Sequence, residues 1–128
     1  MQENLINEFN KQAIAFFEEL QYALPNEPAI GKYKVLMGSM ILLNKKKPYI
    51  IFLKSLRPHG DEIRSKNEDF FKNVVSSKDG DENLVFCLEI LEKHWYGLSE
   101  INKKNIWVYL QVLHLLGSQI DSELNNTK

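Results

Sequence analysis

The residues best suited to chemistry lie in one short stretch, Pro58-His59-Gly60-Asp61-Glu62. An imidazole among carboxylates, on a loop that contains Gly and Pro, could act as a general base or as a metal ligand. A surface loop in which Asp61 caps a short helical turn explains the same residues without chemistry. An enzyme centred on His59 and Asp61 would therefore need a concave pocket that brings another polar group to them.

The other histidines show no catalytic or metal-binding spacing. His94 and His114 lie on different predicted helices, and neither has a carboxylate four residues away, so we predict that both lie at the edge of the core. The sequence also lacks G-x-S-x-G, H-E-x-x-H and C-x-x-C motifs and a Gly-rich phosphate-binding loop. We predict that the chain is not an enzyme and that it holds neither a cofactor nor a metal ion.

Two lysine clusters could contact a polyanion. They are Lys45, Lys46 and Lys47, which precede Tyr49 and Phe52, and the pair Lys103 and Lys104. Basic residues beside aromatic ones are typical of nucleic-acid and phospholipid contacts. The first cluster also follows a predicted helix, whose C-terminal dipole attracts cations. Accessory nucleic-acid binding through these lysines is therefore the alternative function, and it requires the fold to bring the two clusters together.

Composition narrows the class of protein. The 128 residues include 16 basic and 17 acidic ones, a net charge of −1 that gives no overall field to recruit a polyanion or a membrane surface. The single cysteine, Cys87, fits a reducing compartment. The first residues do not resemble a signal peptide, and no apolar run approaches the roughly 20 residues of a membrane span. We predict an intracellular protein without a membrane span, formed as a single helical domain over residues 1–128.

The element expected to organise the fold is a long helix over residues 98–117. Ser99 is suited to cap its start, and Gly117 stands where a left-handed C-terminal stop belongs. Ile106, Leu110 and Leu113 recur at helical spacing, and further apolar residues widen the stripe until little polar surface is left. The pattern predicts an apolar rod that other helices surround.

Four further helices are predicted, over residues 3–24, 27–43, 48–56 and 82–96, the last capped by Asp81. Residues 48–56 would fit a buried strand equally well, but the sequence offers no second strand to pair with it. Residues 64–81 are predicted to form a flexible polar loop pinned to the core by Phe70 and Phe71, and residues 125–128 a frayed tail. Gly31 and Gly38 predict that another helix approaches the second helix closely. The expected fold is all-α, a compact bundle of about five helices around the central C-terminal apolar helix.

Several phrases of the sequence resemble those of uncharacterised small helical proteins of nucleocytoplasmic large DNA viruses. They are FFEEL at 16–20 with Leu24-Pro25, Pro58 with Asp61-Glu62-Ile63, NEDFF at 67–71, Trp95 with Leu98, and NKKNIWVYL at 102–110. The resemblance extends over most of the chain. It implies a helical fold and a viral source, and it implies no activity or functional residues.

The large apolar and aromatic content favours a protein–protein interaction or structural role, which the viral resemblance would place in a virion or viral factory. A protein partner or self-association is expected to cover the apolar surface that remains after the helices pack. The aromatic residues that could anchor such an interface are Tyr49, Phe52, Trp95, Tyr96 and Trp107. For Trp107, burial between helices is the favoured alternative.

Overall fold

A computed structural model describes residues 2–77 and 80–126 of the chain. The helices are α1 (Gln2–Ala23), α2 (Pro28–Leu43), α3 (Lys47–Leu56), α4 (Gly60–Ser65), α5 (Asp69–Ser77), α6 (Glu82–His94) and α7 (Glu100–Asn126), with 3₁₀ turns at Arg57–His59 and Trp95–Gly97. These residues include no strand. The all-α prediction is confirmed, and the third element is a helix as expected.

The pairing of α1 with α7 forms the frame of the bundle. Ile6, Phe9, Ala13, Phe16 and Leu20 recur every three or four residues along α1 and are buried, as one face of an amphipathic helix should be. The start of α1 at Leu5 lies beside Gln119 near the end of α7, whereas Phe16 meets Tyr109 with ring centroids 6.3 Å apart. The two helices therefore run antiparallel.

The short helix α3 is the most enclosed element. Seven of its ten residues are buried, and Phe52 packs edge-on against Phe9, Phe16 and Phe17 of α1. Such edge-to-face arrangements are favoured because the positive ring edge meets the negative ring face. The C-terminal helix α7 is the longest and is central to the packing, contacting α1, α3 and α4. The other helices cover only one side of α7, since Ile101, Val108 and Leu115 are exposed.

Gly117 does not end the C-terminal helix. The helix continues through it to Asn126, and none of the described glycines has a positive φ. Gly117 is buried, and a Cβ placed on it would lie 2.6 Å from Cδ2 of Leu53. The missing side chain therefore lets α3 approach α7 closely, which corrects the predicted stop. Thr127 and Lys128, part of the predicted frayed tail, lie outside the described residues.

The predicted polar loop over residues 64–81 is also corrected. It contains α5, whose Phe70, Phe71 and Val74 are buried and form one apolar face at helical spacing. Lys66, with φ 57°, ends α4 in the left-handed conformation. The predicted loop also includes Lys78 and Asp79, which lie outside the described residues. The prediction missed α5 because its polar outer face dominates the composition.

Side-chain caps fix the start of two helices. Asp81 accepts a hydrogen bond from the Leu84 amide at 3.1 Å, and Ser99 Oγ accepts one from the Asn102 amide at 3.1 Å. Each cap satisfies a backbone donor that the first helical turn leaves without a partner. Both predicted caps are confirmed.

Candidate docking surface

Four of the five aromatic residues expected at an interface belong to the core. Tyr49, Phe52, Trp95 and Trp107 are buried, so their apolar area stabilises the fold of this chain instead of meeting a partner. Tyr49 is additionally fixed by a hydrogen bond of 2.5 Å from its hydroxyl to Asp121. Burial and this bond to a carboxylate raise the pKa of Tyr49 to about 12.

The two tryptophans form an aromatic cluster with α5. The Trp95 and Trp107 rings lie 5.6 Å apart, and Phe71 contacts both at 4.6 and 5.3 Å. The indole nitrogen of Trp95 donates a hydrogen bond to Glu68. The remaining interface candidate, Tyr96, is 81% exposed.

The two lysine clusters lie at opposite ends of the molecule. Lys45, Lys46 and Lys47 are next to Tyr49, which reaches Asp121 near the end of α7. Lys103 lies eighteen residues earlier on that helix, a separation of about 27 Å at 1.5 Å per residue. Its ammonium lies 5.8 Å from the centroids of the Trp95 and Tyr96 rings, a cation–π arrangement that occupies it locally. The fold therefore does not join the clusters into one patch.

His59 and Asp61 have separate partners. The Nδ1 atom of His59 lies 3.1 Å from Glu62 Oε1, and Asn73 donates to the other Glu62 oxygen at 2.6 Å. The His59 side chain is only 12% exposed. The Asp61 side chain is 96% exposed and pairs with Arg64. Because α4 has no side-chain cap, the predicted capping role of Asp61 is wrong. The fold does not bring His59 and Asp61 together as a general acid and base.

The other two histidines have structural contacts. His94 Nε2 lies 2.7 Å from Glu27 Oε1, which ties α6 to the turn between α1 and α2. The shallow cleft beside this pair is apolar apart from Asn26 and the pair itself. His114 packs against α4 at Gly60, where a Cβ would lie 2.8 Å from its Nε2. Burial and the Arg64 guanidinium lower the pKa of His114.

The feature that sequence reasoning missed is the outer face of α2. Ile30 and Met37 are buried, whereas Val35, Leu36, Leu42 and Leu43 are exposed, the last two at 89% each. Val35 and Leu42 are seven residues apart, as are Leu36 and Leu43, so each pair lies in one row along the helix. The signal was present in the sequence: α2 has apolar residues on both sides, and a helix that is buried on one side only cannot cover all of them.

Gly38 adds to the unusual character of this face. Apart from its chain neighbours and the adjacent backbone of α2, a Cβ on Gly38 would find no described atom within 4 Å, whereas one on Gly31 would meet Gln21 at 3.0 Å. A glycine inside a helix costs about 1 kcal/mol relative to alanine. A helix was predicted to approach α2 closely at both glycines. At Gly31 only the Gln21 side chain comes close, and no element that the structure describes fills the space at Gly38.

Charge is distributed unevenly along the chain, which the net value of −1 conceals. Residues 28–60 contain seven basic and no acidic residues, and the rest of the chain contains nine basic and seventeen acidic ones. Lys34, Lys45 and Arg57 pair with carboxylates of α1 and α7. The other four basic residues form no ion pair with another residue that the structure describes: Lys32, Lys46, Lys47 and Lys54.

The exposed apolar and basic side chains of α2 and α3 together define what we term the α2–α3 surface. Its members are Val35, Leu36, Leu42, Leu43 and Ile50, with Lys32, Lys46, Lys47 and Lys54. Ile50 lies in the first turn of α3, directly after the connection that carries the lysine cluster. This surface combines apolar area with positive charge.

Over residues 2–77 and 80–126, no helix has the length and apolar character needed to cross a membrane. Within the same residues, no group of three or more His, Cys, Asp and Glu side chains is arranged to hold a metal ion. Comparison of the chain with models of protein families, with curated proteins and with solved structures finds no match.

Proposed function

We propose that this chain has a non-enzymatic interaction or structural role and that the α2–α3 surface is its docking face. The observation that carries the proposal is the exposure of Leu42 and Leu43, which are adjacent in the last turn of α2, a helix with apolar residues on both its buried and its exposed face. Burying an exposed leucine side chain contributes about 2 kcal/mol to the free energy of association. A partner that buries both Leu42 and Leu43 therefore binds more tightly. The resemblance to viral helical proteins extends the proposal to a virion or viral-factory component.

Accessory nucleic-acid binding receives less support as the alternative. The clusters at Lys45 and Lys103 lie at opposite ends of α7, so a strand would have to follow the whole molecule to touch both. The phosphate backbone also offers no apolar counterpart to Leu42 and Leu43. A nucleic-acid binder would show an affinity that falls steeply with salt and that does not depend on these leucines.

A photocross-linking experiment tests the docking face without assuming the partner. The photoreactive amino acid p-benzoylphenylalanine replaces Leu43 in one variant and Leu115, on the exposed side of α7, in the control. Irradiation in cells is expected to give a reproducible adduct, with a protein or with a lipid, from position 43 and none from position 115. Equal labelling at the two positions, or no adduct from position 43, would remove the proposal.

A further inference from the structure

We infer that the α2–α3 surface docks on an anionic phospholipid bilayer. This inference rests on the proposed docking function and names the chemistry of the partner. Three properties of the surface carry it: the sign of its charge, the protrusion of its leucines and the kind of cation that surrounds them.

The α2–α3 surface is rich in positive charge, and Glu3 of α1 lies at its edge beside Lys45 and Lys46. Between Glu27 and Asp61 the sequence contains no acidic residue, and Lys46 and Lys47 lie exposed and without an ion pair among the described residues, directly after the exposed leucines. A negatively charged leaflet attracts such lysines over distances of about a Debye length. The rest of the chain, with its excess of acidic residues, would be repelled. The charge distribution therefore turns α2 and α3 towards the lipid.

The leucines have the exposure that insertion between lipid headgroups requires. Leu42 and Leu43 occupy the last turn of α2, just before the chain reverses at Asn44, so they project at a corner and not into a groove. Ile50 follows on the other side of that corner. Amphipathic helices at membrane interfaces bury their apolar residues about 5–10 Å below the headgroups while lysines remain at the surface. The corner presents the exposed leucines and the lysines that follow them next to each other.

The composition of the surface disfavours two other occupants. Lysine is depleted and arginine enriched at protein–protein interfaces, and six of the seven basic residues in 28–60 are lysines. A second copy of this chain, docked face to face, would place one lysine-bearing surface against another, so like charges would repel across the interface. Diffuse attraction to many phosphates requires no bidentate geometry, so it is served equally well by lysine.

Vesicle flotation with the full-length chain tests the inference. One set of vesicles is phosphatidylcholine alone, and the other contains about one part in three of phosphatidylserine. The wild-type chain is expected to float with the anionic vesicles only, and added salt should weaken its binding. Leu42→Ser with Leu43→Ser should reduce partitioning by roughly several hundredfold, and Lys46→Glu with Lys47→Glu, which reverses two charges, by roughly the same factor.

Matched variants control for net charge and for loss of apolar area. Val108→Ser with Leu115→Ser removes two exposed apolar side chains from α7. Lys11→Glu with Lys72→Glu makes the same change in net charge at exposed positions on α1 and α5. Both control variants should bind anionic vesicles within about twofold of the wild type, because neither changes the α2–α3 surface.

A fluorescent label reports whether the corner enters the bilayer. An environment-sensitive dye attached to the thiol introduced by Leu43→Cys should shift to the blue on anionic vesicles, and the same dye at Val108→Cys should not. The native Cys87 does not compete for the dye, because it is fully buried and burial raises the pKa of its thiol to about 12.

The outcomes separate this inference from the proposed function. Salt-sensitive binding that both α2–α3 variants lose and both controls keep, together with the shift at position 43, supports a bilayer. Failure to bind anionic vesicles, or binding that does not depend on the leucines, overturns it. If the cross-linker at position 43 then captures a defined protein, the docking function stands with a protein partner; if it captures nothing, both proposals fail.

Discussion

Replacing Gly117 with alanine tests the packing of α7 against α3. In the interior of a helix this change normally stabilises by about 1 kcal/mol. Here the added methyl would lie 2.6 Å from Cδ2 and 3.0 Å from Cγ of Leu53, and Leu53 is itself buried. Overpacking of this kind costs about 1–3 kcal/mol. We expect Gly117→Ala to lower the free energy of unfolding by up to about 2 kcal/mol.

A matched control and a double-mutant cycle isolate the contact. Gly38→Ala makes the same chemical change in a helix with open space around it, so it should stabilise by about 1 kcal/mol. In a Leu53→Ala background, which itself costs about 2–5 kcal/mol, the obstructing side chain is gone. Gly117→Ala should then become stabilising. Urea unfolding followed by far-ultraviolet circular dichroism measures all of these free energies.

The effect of Gly117→Ala on the free energy of unfolding, measured with and without Leu53, decides between two roles for Gly117. If the glycine served a conformational need, as the sequence suggested, alanine would destabilise equally with Leu53 present or absent. A coupling between positions 53 and 117 smaller than about 0.5 kcal/mol would therefore refute the packing argument. So would a Gly117→Ala variant as stable as Gly38→Ala.

Three further predictions concern single side chains. Asp81→Ala should destabilise the chain by about 1 kcal/mol in urea unfolding because it removes the α6 cap, and Asp61→Ala, which removes no cap, should cost less than about 0.5 kcal/mol. Cys87 should react with a thiol reagent only as fast as the chain opens, because the side chain is fully buried and its pKa is raised to about 12; rapid labelling of the folded chain would contradict its burial. Tyr49 keeps its proton in the folded chain up to about pH 12, whereas an unperturbed tyrosine has a pKa of 10.0, so its stabilisation is present below pH 10 and lost as the pH rises towards 12. Tyr49→Phe should flatten that alkaline decline in the urea midpoint, and an unchanged decline would refute the assignment.

The sequence predicted those features that depend on neighbouring residues. Pro25 disfavours the helical conformation at the residue before it, and Asp81 and Ser99 cap within one helical turn. The end of α1 and the starts of α6 and α7 were therefore predicted to within two residues. The close approach at Gly117 depends on Leu53, which is far away in the sequence. No local pattern distinguishes a glycine that ends a helix from one that admits a neighbouring helix.

The docking surface was harder to predict for a related reason. Periodicity identifies a buried face only when the opposite face is polar, and α2 has apolar residues on both sides. Bulky aromatic side chains suggested interface anchors, with burial the favoured alternative for Trp107. Trp107 is buried as favoured, and Trp95 is buried as well, both against α5, a helix that the sequence did not predict. Counting charge by segment instead of over the whole chain would have located the basic side of the molecule.

The lysines of the α2–α3 surface that form no ion pair with a described residue give the molecule a local positive patch despite its net charge of −1. A negatively charged wall attracts such a patch, so the protein rotates it towards the wall before contact. At neutral pH the chain should therefore be retained by a cation-exchange resin although its sequence pI is about 6.3. Its retention will depend on the charge of the face that meets the resin and not on the net charge of the chain.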